Sequence, residues 1–249
     1  VGFQVLTTTG QIKSFQVPTE VTISTTGNID DLDFSNADLI RMTNSSLTTI
    51  RGLKAGYAGQ RVAIVSLGAG QVDLAHQNTN SSAANRCINT VTGLSTPLAA
   101  GTGRAVYQYD ATTLRWRLIH HQQGSPIAVT YSAGDYTAST GTWTVDSGDV
   151  ATYQFVIENN IVTFLVQIQD TDVSVTPATL WAAMPAGMTA VKTVRAFLLY
   201  QDAGGANTGG LFSVIAADTK LSFNKLGSNW SATTGDNTLV AGQLRVQIT

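Results

Sequence analysis

The sequence predicts an all-β protein, built as two β-sandwich or jelly-roll-like domains behind a short N-terminal arm. Composition is the first reason. Of 249 residues only 12% are charged, about half the ~25% of an average domain. Glu occurs only at positions 20 and 158 and Lys at five positions, while Thr, Ser, Gly, Val and Asn are abundant. That mixture disfavours helices and suits strands joined by tight turns. Spacing is the second reason, because short apolar runs recur about every ten residues, the mark of a sandwich or barrel. The third is a pair of alternating runs flanking Glu158-Asn159-Asn160, where Asn tolerates the positive φ of a tight hairpin turn. A hydrophobic content of 43% excludes a charge-driven disordered chain.

The first 26 residues read as an arm, in which Phe3 to Leu6 and Phe15 to Val17 flank a turn signal at Gly10. Residues 27–122 form the first predicted domain, preceded by a run at Val21 to Ser24. Its strands are LIRM, LTTIRGL, RVAIVSL, QVDLAH, RAVYQY and LRWRLIH. Both registers of Arg61 to Leu67 are apolar, which predicts a central strand covered on both faces. From Leu114 to His120, Leu114, Trp116 and Leu118 share one register and Arg115 and Arg117 the other. This strand should bury its tryptophan and turn its arginines to water or a partner. HQQGSP, residues 121–126, marks the boundary, and residues 127–249 form the second domain. There Tyr153, Phe155 and Ile157 should share a core face with Val162, Phe164 and Val166. Further strands are expected at Val194 to Tyr200, Gly210 to Ile215, Leu221 to Lys225 and Leu239 to Ile248. Only Ala178 to Met184, stopped by Pro185, suits a short helical turn. The two halves do not superpose at a fixed period, so no repeat is read.

A net charge of −2 offers no basic field for a polyanion, so nucleic acid is not expected as a principal partner. No apolar run approaches the roughly 18 residues of a membrane span. Cys87 is the sole cysteine, which excludes an intrachain disulfide and a thiolate zinc site. Cys87 reads as a small buried hydrophobe. His120 and His121 are adjacent on a strand and face opposite ways, so they cannot chelate one metal. His76 shares a register with Val72 and Leu74 and reads as a hydrogen-bonded residue at the core or its rim. Asp170 and Asp172 have the spacing of a glycosidase carboxylate pair, but Asp is scattered through the loops and such pairs arise by chance. Asp30, Asp31 and Asp33 with Ser35 and Asn36 are oxygen-rich, yet lack the glycine and terminal Glu of a calcium loop. The sequons at Asn44, Asn80 and Asn229 are weak patterns in a Ser/Thr-rich chain. No catalytic residue, metal site or cofactor is assigned.

The stretch from Leu47 to Cys87 resembles a module of bacteriophage appendage proteins. Its marks are Ile50-Arg51-Gly52, Gly59-Gln60 before an apolar strand, Gly68, the strand ending in His76, Ser82 and Asn85-Arg86. The strand from Ala105 to Tyr109, Asp110 and the Trp116 strand complete it. The C-terminal half is similar to terminal domains of phage tail fibres and baseplate proteins. It carries GTWTVDSGDVATYQF, a hairpin, Leu-Trp followed by Met-Pro-Ala-Gly, and a last strand near AGQLRVQIT. The resemblance implies a non-enzymatic virion protein, a homotrimer displayed outside the particle. On this reading it is a tail fibre, spike or receptor-binding component that contacts a host surface glycan or protein. The N-terminal arm would hold it to other virion proteins. A head fibre or capsid decoration protein is the alternative, and a glycan-degrading tailspike the least favoured one.

For recognition, QDAGGANTGG, residues 201–210, is the longest Gly/Asn/Asp stretch between two expected strands. Without apolar residues it cannot pack as core, so it should be exposed. As a plain connector it needs no further role. As a binding site, Asp202 and Asn207 would offer polar groups and Tyr200 a ring face, the mixture a sugar-binding surface needs. Trp230 either adds a second stacking face or is buried.

Overall fold

The computed structural model describes residues 3–6, 12–15, 19–89, 93–185 and 188–248. Strands β1 (Phe3–Leu6) and β2 (Ile12–Phe15) pair antiparallel. The expected turn at Gly10 and the remainder of the arm up to residue 18 lie outside the described residues. The chain forms two compact units, Val1–Val91 with Ser95–Gly124, and Thr92–Leu94 with Ser125–Thr249. No α-helix occurs among the described residues, only two single 3-10 turns.

In the first unit the chain alternates between two sheets. Strands β3 (Glu20–Ile23), β5 (Leu39–Met42) and β7 (Arg61–Ser66) lie parallel in one. Strands β4 (Gly27–Ile29), β6 (Thr48–Ile50) and β8 (Val72–Leu74) lie parallel in the other. A parallel bridge from Leu32 to Leu53 adds a third line of pairing. The result is a stack of coils, in which each coil rests on its neighbour. Parallel neighbours need a crossover of a dozen or more residues, and here the strand in the opposite sheet supplies it. Register places Val21, Ile40 and Ile64 in one inward row and Ile29, Ile50 and Leu74 in another. The stack is closed at one end by antiparallel strands. After β9 (Cys87–Ile88), β10 (Thr96–Leu98) pairs with β8, and β11 (Arg104–Asp110) with β7. Strand β12 (Arg115–Gln122) then pairs with β11 on one side and, in parallel, with β9.

The spacing suggested a sandwich or barrel without fixing strand direction, and the strands of these two sheets run parallel. Alternation of apolar residues is the same in parallel and antiparallel strands, so it carries no strand direction. The repeat is concealed because the coils are unequal: Glu20 pairs with Leu39, 19 residues on, and Leu39 with Ala63, 24 residues on. Strand β7 is covered on one face only. Val62, Ile64 and Ser66 are buried, while Ala63 and Val65 lie half-buried on the outer face.

At a corner between the sheets, the buried Asn44 donates from Nδ2 to the carbonyls of Ser46 (2.8 Å) and of Gln71 in the next coil (3.1 Å). Gly68 and Gly70 approach so closely that a Cβ at either would collide with the backbone of Asn44 or Ser46. Trp116 is fully buried as expected. Phe34 and Tyr109 meet it edge-on at 5.6 and 5.2 Å, and its Nε1 donates to the Lys54 carbonyl at 3.1 Å.

The second unit is antiparallel throughout. Its short strands β13 (Ile127–Ala128), β14 (Tyr136–Ala138) and β15 (Trp143–Thr144) precede the long hairpin of β16 (Val150–Glu158) and β17 (Ile161–Val173). Then follow β18 (Thr179–Ala183), β19 (Val194–Gln201), β20 (Thr208–Val214), β21 (Lys220–Lys225) and β22 (Thr233–Gln247). The order is β14-β18-β21-β20-β19-β22-β17-β16, with β13 on β16 and β15 on β17. Asn159 takes φ 57° in the expected turn, and Phe155 faces Phe164 across the hairpin. Residues 179–183 form a strand, not the helical turn expected there. Leu180 and Ala182 point into the core, and that two-residue alternation fits only a strand. One core fills the unit, threaded by edge-on contacts from Tyr136 to Trp143 (5.6 Å) and from Trp143 to Phe223 (5.8 Å).

Replacing Trp116 with Ala should destabilise the first unit by about 3 to 5 kcal/mol, because it empties a filled site and orphans the Lys54 carbonyl. Chemical denaturation monitored by intrinsic fluorescence reads this directly. An unchanged midpoint would show that the ring is not the centre of that core.

Candidate functional site

Structure places the four residues proposed for recognition around the loop after β19. Asp202 begins the loop, and its carboxylate turns inward. Oδ2 accepts from Lys225 Nζ at 2.5 Å and from Ser231 Oγ at 2.7 Å, while Oδ1 accepts from the Ser231 amide at 3.0 Å. The side chains of Lys225 and Asp202 are only 10% and 11% exposed. Burial raises the Asp202 carboxyl, but the hydrogen bonds from Lys225 and Ser231 together outweigh it, and the net shift is downward. Tyr200 and Trp230 meet edge-on at 5.2 Å, with Trp230 fully buried and its Nε1 donating to the Phe223 carbonyl at 3.3 Å. Lys225 Nζ sits 5.9 Å from the centre of the Tyr200 ring. Three of the four residues therefore converge, as an ion-paired clamp over an aromatic core. Asn207 stays in the exposed part of the loop, apart from them. The ring faces of Tyr200 and Trp230 are spent on the interior, so the surface left to a ligand here is the loop tip alone.

The other polar groups are also engaged. Asp31 accepts from the amide and hydroxyl of Ser82 at 2.9 and 2.7 Å, Asp33 from Lys54 Nζ at 2.7 Å, and Asp30 pairs with Arg51 at 3.5 Å. The three carboxylates thus serve three different partners. No group of three or more metal-ligating side chains converges among the described residues. Asp170 and Asp172 stand on the outward side of β17 around the buried Thr171, but a bulge at Asp170, with φ 55°, interrupts the regular strand pairing there. Cys87 is buried beside the Trp116 strand, and burial pushes its thiol up to about 12. At neutral pH it is an uncharged apolar filler. The sequon residue Asn44 is inside the coil stack, out of reach of modification in the folded chain.

Among the histidines, His120 is exposed and His121 buried, on opposite sides of β12. His121 Nε2 donates to the Pro97 carbonyl at 3.0 Å, which fixes the neutral tautomer, and Nδ1 is buried without a partner. Burial pushes this imidazole down to about 4. His76 Nδ1 accepts from the amide of Asn89 at 3.1 Å, and its half-burial lowers it too. Asn89 itself is enclosed, donating to the Leu74 carbonyl (2.9 Å) and accepting from Tyr107 (2.7 Å). Sequence parity anticipated His76; the Asn89 network and the Asp202 clamp depend on partners far along the chain and were missed. No family model matches the chain, and no curated protein does.

Two outcomes follow. Asp202→Ala strands the Lys225 ammonium and should cost on the order of 3 kcal/mol, whereas exchanging residues 203–207 for a Gly/Ser segment of equal length should leave the melting temperature nearly unchanged. Equal losses would mean that the loop and not the clamp holds this end. For His121, the folded imidazole stays neutral where the unfolded one, near 6.5, takes up a proton. The His121 contribution to stability is therefore constant above about pH 6.5 and falls as pH drops toward 4, by on the order of 3 kcal/mol. In His121→Gln that slope should shrink to the share of His76 and, close to pH 4, of the hydrogen-bonded carboxylates such as Asp110 and Asp202, and an unaltered profile would exonerate His121.

Proposed function

We propose that the chain is a structural protein of a bacteriophage virion: a tail fibre, spike or receptor-binding component displayed outside the particle. The carrying observation is the parallel coil stack. Such a stack is rigid, and it grows along one direction by repeating a backbone pattern rather than by shaping a cleft. The residues that carry the phage resemblance serve this stacking. A Cβ on Gly52 would run into Ser81 and the Asn85 carbonyl, and Arg86 Nε donates to the Ser81 carbonyl at 3.0 Å. On this reading the protein performs no chemistry and needs no cofactor. The second unit contacts a host surface glycan or protein, and the N-terminal arm contacts other virion proteins.

The homotrimer belongs to the same proposal. Support comes from the outer face of β19, where Phe197 is 68% and Leu199 37% exposed, with Leu211 opposite Phe197 on β20. Exposed apolar side chains in one row mark an interaction surface. Sedimentation should give a trimer for the natural chain and a smaller, folded species for Phe197→Lys. A natural chain that sediments as a monomer would remove the trimer from the proposal. Antibody labelling of intact particles should decorate tail appendages. Labelling over the whole shell would instead favour the capsid decoration role, and the absence of label on any particle would defeat the virion reading.

A further inference from the structure

Five of the nine arginines share one surface. On β5, β7, β11 and β12 the inward positions are Ile40, Ile64, Tyr107 and Trp116 with their alternates. The outward positions include Arg41, Arg61, Arg104, Arg115 and Arg117. Register arranges four of them as a grid. Arg41 and Arg104 flank Val65 in one row across the strands, and Arg61 and Arg117 flank Gln108 in another. Two strand spacings separate the members of each row by ~10 Å, and four residues of β7 separate the rows by ~13 Å. Only two carboxylates stand on these strands and on β3: Glu20, paired with Arg41 at 3.3 Å, and Asp110, paired with Arg117 at 2.8 Å. Arg61, Arg104 and Arg115 form no ion pair among the described residues. A chain of net charge −2 therefore concentrates uncompensated positive charge on one sheet face.

We propose that this outer face of the coil stack binds an anionic polysaccharide. Planar guanidinium forks grip carboxylate, sulfate or phosphate through two parallel hydrogen bonds. Between them lie Val65, half-buried, and Ile119, 41% exposed, which offer apolar contact to the C–H faces of sugars. Beside Arg117 a cavity of about 370 Å³, lined also by Gln108, Thr112, Ile119 and the Asp110 carboxylate that Arg117 pairs with, has the polar and apolar lining a sugar unit requires, so the anionic groups of the polymer would fall to Arg61, Arg104 and Arg115 around it. The wide grid suits a polymer charged at every second or third sugar. Duplex DNA carries a charge every ~1.7 Å of its axis and is read by elements that enter a groove, and single strands are held on stacked aromatic rings. None of these strands has Trp, Tyr or Phe at an outward position. One exposed ring stands nearby, Tyr57 in the loop before β7, fewer than the cluster of aromatic anchors on which tight protein interfaces centre.

The inference goes beyond the virion role, and its test uses the purified full chain, so neither result decides the other. Binding of polygalacturonate and dextran sulfate is measured by titration calorimetry against neutral dextran and duplex DNA. At least one of the two anionic glycans should bind, less tightly as salt rises, and neutral dextran should not. The triple variant Arg61→Gln/Arg104→Gln/Arg115→Gln should bind about tenfold more weakly or worse, with an unchanged melting temperature. The control Lys192→Gln/Arg195→Gln/Arg245→Gln, which removes as much charge from the second unit, should bind like the natural chain. Arg104→Gln and Arg61→Gln singly should give intermediate losses, which keeps the test valid if the triple variant folds poorly. Tighter binding of DNA than of either glycan, an equal loss in the control, retention of neutral dextran, or no glycan binding at all would each overturn the proposal.

Discussion

Everything in the first unit depends on keeping three coils of unequal length in register. The strands are three to six residues long, so few ladder hydrogen bonds hold each pair. Interior filling decides the fit. Ile40, Ile64 and Ile50 are essentially sealed from water, and a fully buried aliphatic side chain of this size contributes about 1.5 to 3 kcal/mol. These rows meet only if corners repeat in the same place, and that is the role of Asn44, Gly68 and Gly70. The longer second interval is not slack. Its additional residues form the loop from Lys54 to Gln60, which presents the Lys54 carbonyl to Trp116 and sets Gly56 against the indole ring. One coil is longer because it must seat the side chain that closes the stack.

Polar residues in both units are used in the same manner. Asp202 ties β19 to β21 and to the segment before β22, while Asn89 joins β8 to β11 through Leu74 and Tyr107. Charged groups are few, and the pairs that are buried hold loops whose own residues are too small to pack. In a chain so rich in Gly, Thr and Ser, a loop cannot be fixed by hydrophobic contact, so a single carboxylate with several donors fixes it instead. This explains why an acid beside two aromatic rings, a grouping with the appearance of a binding site, serves here as a fastening.

Sequence reasoning reached what local pattern determines. Parity within a strand identified Trp116 as core, Arg115 and Arg117 as outward, and His120 and His121 as opposed. The Asn159 turn fixed its hairpin because register follows from a two-residue loop. Strand direction was out of reach, since no local feature distinguishes Leu39–Met42 beside Arg61–Ser66 in parallel from the same strands in a hairpin. The Asp202 clamp was hidden for a related reason: Lys225 and Ser231 lie 23 and 29 residues away, and nothing near Asp202 announces them. Residues 178–184 misled because Ala, Leu and Met are strong helix formers, whereas burial of alternate positions prevailed.

The arginine face shows how the two kinds of information combine. From sequence, each arginine is one outward residue on one short strand, and a solvated position explains each singly. Register makes them neighbours. Arg41 comes from the second coil, Arg61 from the third, and Arg104, Arg115 and Arg117 from the closing hairpin. Strand register, parallel from β5 to β7 and antiparallel from β7 through β11 to β12, brings outward positions into line as surely as inward ones. The same geometry that builds the apolar rows inside thus builds a charged array outside. Like charges held ~10 Å apart repel across a partly screened distance, a cost that the two carboxylates only partly offset. The fold places that charge where inward packing does not require it, whereas the acid beside the two rings is already engaged by Lys225 and Ser231.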